Sequence, residues 1–345
     1  MSKNKLLLLG SSLGTLLLFI VAAVQENIFK EWRRIQAQSH SESGAIDPHL
    51  RQIVVPVLHK SDRCVSCHLG MSPGEAVLHG LRVTATHPPV YHDPAEWGCT
   101  VCHAGQGHAT EKADAHGSVL FWPEPMIPLQ YADAGCGSCH RHLKVPSLAR
   151  TQHGARLFEQ FDCLACHRMD RRGGTLRPGG MEGPDLTMVG ATGYRADWYR
   201  HHRLLAAAGA DPLWKANFRD IAEVDRRDVD VYLSTCVGAP RLVEAKALFH
   251  AAGCRGCHKV HGIGGDDGPD LSAAGQKDPG QIDFSHVAGE HTLAGWFAEH
   301  FRNPAGVVRG STMPALGLSE WEINRLTLYL FSLRNHNYPE AFWPK

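Results

Sequence analysis

Five short cysteine motifs constrain this 345-residue chain more than any other feature of its sequence. Each motif reads C-x-x-C-H, and their first cysteines are Cys64, Cys99, Cys136, Cys163 and Cys254. Two thiols three positions apart on one helical turn can each form a thioether with a haem vinyl group, and the histidine that follows then lies under the iron. The sequence therefore predicts five covalently bound haem c groups, each with its iron.

The pattern assigns a role to each motif position. The predicted attachment residues are Cys64, Cys67, Cys99, Cys102, Cys136, Cys139, Cys163, Cys166, Cys254 and Cys257, and the predicted proximal ligands are His68, His103, His140, His167 and His258. Structural zinc would need four ligands per metal, and a redox dithiol would not need the histidine five times. The eleventh cysteine, Cys236, is predicted to be a small buried residue at a helix end.

One apolar segment lies at the N-terminus. Leu6 to Val24 contains no charged residue, follows Lys3 and Lys5, and as a helix would reach about 28 Å, enough to cross a bilayer. Residues 22–25 form a poor signal-peptidase site, which favours an uncleaved anchor over a cleaved signal peptide. The prediction is a single-pass protein of the cytoplasmic membrane with its haem domains on the periplasmic side, where haem is attached to C-x-x-C-H.

The chain changes character near residue 150. Pro, Gly and His are frequent between the first three motifs and amphipathic periodicity is weak, so the porphyrins must supply much of the apolar core there. An internal repeat follows, in which the sequence Gly-Pro-Asp-Leu occurs at 183–186 and again at 268–271. The predicted fold is mainly α, with a transmembrane anchor (1–30), a linker (31–48), a loop-rich three-haem module (49–150) and two tandem domains (151–238 and 239–345).

Residues 151–238 and 241–338 each resemble a class I cytochrome c domain. The resemblance rests on an amphipathic helix, the haem motif, the Gly-Pro-Asp-Leu segment and a final amphipathic helix, predicted at 224–235 and at 320–333. The last domain also has the family's Met-Pro loop, at Met313-Pro314. The resemblance implies that His258 and Met313 ligate the fifth haem.

The first of these domains departs from the family at the sixth ligand of its haem. Aligning Trp198 with Trp296 places Lys215 level with Met313, and Met188 comes too early in the chain to take the same place.

Three alternatives stay open for this fourth haem. Lys215 could bind iron if burial keeps it neutral, a different side chain (His201, His202 or Met188) could reach the iron, or the sixth position could be open. His202 aligns with His300 of the conventional domain, which favours a shared structural role for it.

Residues 50–150 resemble a three-haem module of membrane-bound multihaem cytochromes. The matching segments are 62–64, 97–100, 105–110, 115–117 and 122–125. In such modules the sixth ligand is usually a second histidine. The best candidates here are His116, His87 or His92, and His59.

These ligand sets predict a direction of electron flow. A thioether ligand stabilises Fe(II), so potential should rise from bis-histidine haems near the N-terminus to the His/Met haem at the C-terminus. The balanced charge, 35 basic against 35 acidic residues, gives no reason to expect a nucleic-acid partner.

The resemblance extends to cytochrome subunits of bacterial quinol–cytochrome c oxidoreductases. It implies a non-catalytic subunit that takes electrons from a quinol-oxidising integral membrane subunit and passes them to a soluble cytochrome c or a terminal oxidase or reductase. The alternative is a periplasmic haem reductase or peroxidase with catalysis at haem 4.

Overall fold

A computed structural model describes residues 3–41, 44–71, 77–79, 82–87, 90–140, 147–169, 172–173, 183–200, 202–204, 216–217, 221–336 and 338–342. The fold is mainly α with an apolar N-terminal helix, which confirms the predicted class. The chain consists of two compact units, Met1–Met126 and Ile127–Lys345. Their boundary falls within the predicted three-haem module, and the five-part domain division stays a prediction.

The first unit begins with the apolar helix α1 (Lys3–Ile28), none of whose residues is buried. In the part of the chain that the structure describes, one helical segment, Lys3–Ala37, is long and apolar enough to cross a membrane. A signal sequence has the same length and composition, so the anchor belongs with the proposals below. The other helices of this unit are α2 (Glu31–Ala37), α3 (Pro94–Trp97), α4 (Thr100–His103) and α5 (Lys112–Ala115).

Short antiparallel strands complete the first unit. The strands are β1 (His40–Ser41), β2 (Gly44–Ala45), β3 (Ile53–Val55), β4 (Lys60–Asp62) and β5 (Val77–His79). One sheet has the order β2-β1-β5, and a hairpin pairs β3 with β4 in the register Ile53↔Asp62.

Helix α2 is packed against the first haem motif by a buried glutamine. The Gln36 side-chain amide donates to the carbonyl oxygens of His49 (3.0 Å) and Ser66 (2.8 Å), and its oxygen accepts from Arg51 (2.6 Å). Because a buried amide costs free energy unless its hydrogen bonds are made, this network fixes the position of α2. The segment that follows α1 is therefore part of the first unit's core.

The second unit holds two similar helical arrangements in sequence. Its helices are α6 (Leu148–Gln160), α7 (Val189–Thr192), α8 (Glu223–Ser234), α9 (Pro240–Ala251), α10 (Leu293–Arg302), α11 (Pro304–Val307) and α12 (Glu320–Ser332). Its two-stranded pairs are β6 (Arg168–Met169) with β7 (Arg172–Gly173) and β8 (Arg203–Leu204) with β9 (Ala216–Asn217). The predicted final helices at 224–235 and 320–333 are thus observed as α8 and α12.

The predicted internal repeat packs in the same way twice. α6 packs against α8 so closely that a Cβ on Gly154 would lie 1.9 Å from the Asp228 carbonyl oxygen, and α9 packs against α12. Gly190 and Gly275 take equivalent places against carbonyls at the ends of α8 and α12. Only a residue without a side chain fits such contacts. Cys236 is buried beside the first of these helix pairs, as predicted.

The third haem motif packs against the last helix of the chain. In the 3₁₀ segment Leu129–Ser138, Tyr131 stacks on Phe331 of α12 with ring centres 5.4 Å apart. A Cβ on Gly137 would lie 2.5 Å from Ser332, and Arg241 of α9 makes two hydrogen bonds to the Asp133 carboxylate, at 2.9 and 3.1 Å. The motif at Cys136 therefore folds with the second unit.

Candidate haem centres

All five C-x-x-C-H motifs have the same backbone conformation. In each, the backbone N–H of the histidine donates to the carbonyl oxygen of the first cysteine at 2.9 Å, which closes one helical turn. Both thiols and the imidazole therefore leave the same turn of chain. The ten motif cysteines carry free thiols and none is fully buried, so each pair is placed to react with a porphyrin edge.

Backbone carbonyls orient three of the proximal imidazoles. Nδ1 of His68 lies 3.0 Å from the Val83 oxygen, Nδ1 of His167 lies 2.7 Å from that of Pro184, and Nδ1 of His258 lies 2.9 Å from that of Pro269. A carbonyl only accepts hydrogen bonds, so Nδ1 is the protonated atom and Nε2 keeps the lone pair that a metal needs. These residues fit haem iron.

The repeated Gly-Pro-Asp-Leu segments supply two of those carbonyls. Their glycines also allow the chain to pass directly beneath the ring: a Cβ on Gly183 or Gly268 would lie 2.5 Å from Cε1 of His167 or His258. The segment thus sets both the tilt and the tautomer of the proximal histidine.

The first haem site brings His116, one of the candidate sixth ligands, close to the proximal His68. The rings of His68 and His116 are nearly parallel, at 27°, with centres 6.5 Å apart. With metal–nitrogen bonds of about 2 Å, two imidazoles on opposite sides of one iron have ring centres roughly 6 Å apart. Burial lowers the pKa of both imidazoles, which keeps them in the neutral form that binds metal.

The second haem site brings His103 and His87 together. Their ring centres are 6.0 Å apart at an interplanar angle of 67°, and burial lowers the pKa of His103. Of the other candidates, His92 lies against Trp97 with ring centres 4.4 Å apart, and His59 is exposed in the turn between β3 and β4.

The first two motifs touch each other. The thiol of Cys99 hydrogen-bonds to Cys64, which lowers the pKa of Cys64 and raises that of Cys99. The fully buried Asp62 carboxylate accepts from the backbone N–H groups of Cys99 (2.5 Å) and Thr100 (2.9 Å) and from the Thr100 hydroxyl (2.8 Å). Asp62 therefore joins the strand before the first motif to the start of α4.

The third haem site is described only on its proximal side. Cys136, Cys139 and His140 lie on the segment that packs against α12, whereas residues 141–146 lie outside the described residues. The sixth ligand of this haem stays a prediction.

In the fourth haem site, a second histidine faces the proximal histidine. The rings of His167 and His202 are stacked at 11° with centres 5.7 Å apart, and their Nε2 atoms are 3.4 Å apart. Two of the other candidate ligands, Lys215 and His201, lie outside the described residues. The remaining candidate, Met188, has its sulfur 2.7 Å from where a Cβ on Gly238 would lie.

The fifth haem site has its proximal histidine in place. Met313 is half-buried in the loop before α12, and its backbone N–H donates to Ser311 Oγ at 3.3 Å. Ligation by its sulfur stays a prediction. His300 lies flat against Trp296, with an interplanar angle of 7° and ring centres 5.0 Å apart.

Comparison with known proteins supports the C-terminal site. Residues 242–334 match the family model described as cytochrome c. No curated protein and no solved structure matches the chain. The matched domain carries covalent haem c with its iron, and haem-mediated electron transfer is the activity that this domain supports.

Proposed function

We propose that this c-type cytochrome is a five-haem electron carrier anchored by α1 to the cytoplasmic membrane, with its haem units on the periplasmic side. It takes electrons from a quinol-oxidising integral membrane partner and delivers them to a soluble cytochrome c or a terminal oxidase or reductase. The observation that carries the proposal is the single-turn conformation shared by all five motifs, which presents two thiols and one imidazole each time.

The role of the chain is to hold and tune the haems. Each haem iron, when bound, takes up and releases one electron. His68, His167 and His258 are fixed by carbonyls with Nε2 available for the iron. The histidine pairs at the first and second sites favour low potential, and a thioether from Met313 would favour high potential at the fifth. Electrons would then move toward the C-terminal domain.

Contact between the first two motifs supports transfer between their haems. Thioethers formed at Cys64 and Cys99, whose thiols now touch, would bring the attached porphyrin edges close together. Transfer between such neighbours needs no moving part, because the protein only fixes the distance and the potentials.

Intact mass is expected to equal that of the polypeptide plus five haems. The protein should be purified from a host with haem-attachment machinery and measured under denaturing conditions, which keep thioether links. The double variant Cys136→Ser/Cys139→Ser should lose one haem and keep the rest, as a matched control for covalent attachment. A wild-type mass with fewer than five haems would contradict the proposal.

Quinol is expected to reduce the haems only when the membrane partner is present. Membranes from the native cell should show haem reduction on adding a quinol, whereas the chain purified away from other subunits should stay oxidised. Dithionite, which needs no partner, should reduce both samples and serves as the control. Equal rates of haem reduction by quinol in the two samples would contradict the proposal of a quinol-oxidising membrane partner.

A further inference from the structure

We infer that His202 is the sixth ligand of haem 4, so that this domain holds a bis-histidine haem in place of the His/Met haem of its repeat partner. The inference deepens the proposed function and rests on it, because it requires a haem attached at Cys163 and Cys166. It selects one residue from the second of the three alternatives that the sequence left open.

The two imidazoles already face each other through the correct atoms. Their Nε2 atoms are 3.4 Å apart and the rings are close to parallel. Two metal–nitrogen bonds of about 2 Å would place these atoms about 4 Å apart, so an iron needs only a separation of roughly half an ångström. No rotation of either ring is required.

The other ring nitrogen of His167, Nδ1, has a backbone hydrogen-bond partner. Its Nδ1 donates to the Pro184 carbonyl, which leaves Nε2 of His167 as an acceptor directed at His202. Two imidazoles whose Nε2 atoms face each other are a pair that binds low-spin haem iron.

The repeat provides an internal comparison at the same sequence position. His300, which aligns with His202, lies flat on Trp296 at 7°. His202 instead stands at 85° to Trp198, with ring centres 5.1 Å apart. The two histidines share a place in the fold and differ in the direction that their rings take.

A hydrogen bond holds Trp198 in the position in which the edge-on contact with the His202 ring is made. Its Nε1 donates to Asp230 Oδ1 on α8 at 2.8 Å, and Tyr194 donates to the same carboxylate at 3.2 Å. The indole therefore presents a fixed surface against which the His202 ring stands on edge. The domain thus compensates for the absence of a methionine loop by turning this histidine toward the iron.

A sixth protein ligand changes what haem 4 can do. An iron with imidazoles on both sides has no open position for nitrite or peroxide, and its potential lies below that of a His/Met haem. Haem 4 is then an electron carrier, and the alternative of catalysis at this site is removed.

The test uses the full-length holoprotein with His202→Gly, and His300→Gly as the matched control at the aligned position. Electron paramagnetic resonance should show one haem in five changing from low spin to high spin in His202→Gly, and added imidazole should restore the low-spin signal. His300→Gly should keep all haems low spin. Restoration by imidazole is a result that simple loss of folding would not give.

Intact mass and two further variants separate the possible outcomes. Intact mass shows whether haem 4 is attached: a protein that lacks this haem contradicts the proposed five-haem carrier, not the ligand assignment. If haem 4 is attached and His202→Gly stays fully low spin, the assignment to His202 is overturned. A high-spin haem that appears in Lys215→Ala instead would overturn it in favour of the lysine. His202→Met should stay low spin and gain a thioether-to-iron charge-transfer band.

Discussion

Replacing Met313 by histidine is expected to lower the midpoint potential of the fifth haem by on the order of a few hundred millivolts, within the ~0.8 V that axial ligands span. The physical reason is that a thioether stabilises Fe(II) relative to Fe(III), whereas imidazole does not. The measurement is a redox titration followed by visible spectroscopy, in which the highest-potential component should move down. Electron delivery to a soluble cytochrome c should slow accordingly.

Met188→Leu is the matched control for this variant. Met188 lies in the other repeat with its sulfur against Gly238, so its loss should leave every potential unchanged. A Met313→His protein whose highest potential does not move would exclude Met313 as a ligand.

Asp62→Ala is expected to lower the free energy of unfolding of the first unit by about 3 kcal/mol. The substitution removes three hydrogen bonds to a fully buried carboxylate and leaves the N–H groups of Cys99 and Thr100 without their acceptor. Gly98 and Gly107 leave room for that carboxylate, since a Cβ on either would lie 2.6 or 2.0 Å from its oxygens. Guanidinium unfolding followed by circular dichroism in the haem and far-ultraviolet regions measures the loss.

Thr100→Val is the graded control for Asp62. It removes the hydroxyl donor and keeps the side-chain volume and both backbone hydrogen bonds, so its cost should be about 1 kcal/mol. The prediction fails if the two variants unfold at the same denaturant concentration.

Local features of the fold could be predicted from the sequence, because short-range patterns determine them. The haem motifs need only one turn of chain, and α8 and α12 follow from apolar residues at helical spacing. The repeat of Gly-Pro-Asp-Leu correctly indicated two similarly packed helical arrangements. These patterns predict the roles of the motif residues, which are the haem-attachment cysteines and the proximal histidines.

Long-range partners could not be predicted, because sequence spacing says little about which side chains meet. Gln36 lies in a polar stretch that indicated a linker, yet it is fully buried against the first motif. His202 aligned with a conventional histidine, and its spacing did not indicate that its ring faces His167 beside a Trp198 that is hydrogen-bonded to Asp230. The Asp62 carboxylate gave no local signal, since the helix that it caps begins far along the chain.

The packing of the third motif on α12 has a consequence for biosynthesis. Ribosomes make the chain from its N-terminus, so Cys136 and Cys139 emerge long before Phe331 and Ser332, which later cover the same segment. Tyr131 and Gly137 therefore stay uncovered until nearly the whole polypeptide has been made. Packing of α12 on this segment is therefore one of the last folding steps, and it follows the synthesis of Cys136 and Cys139 by nearly two hundred residues.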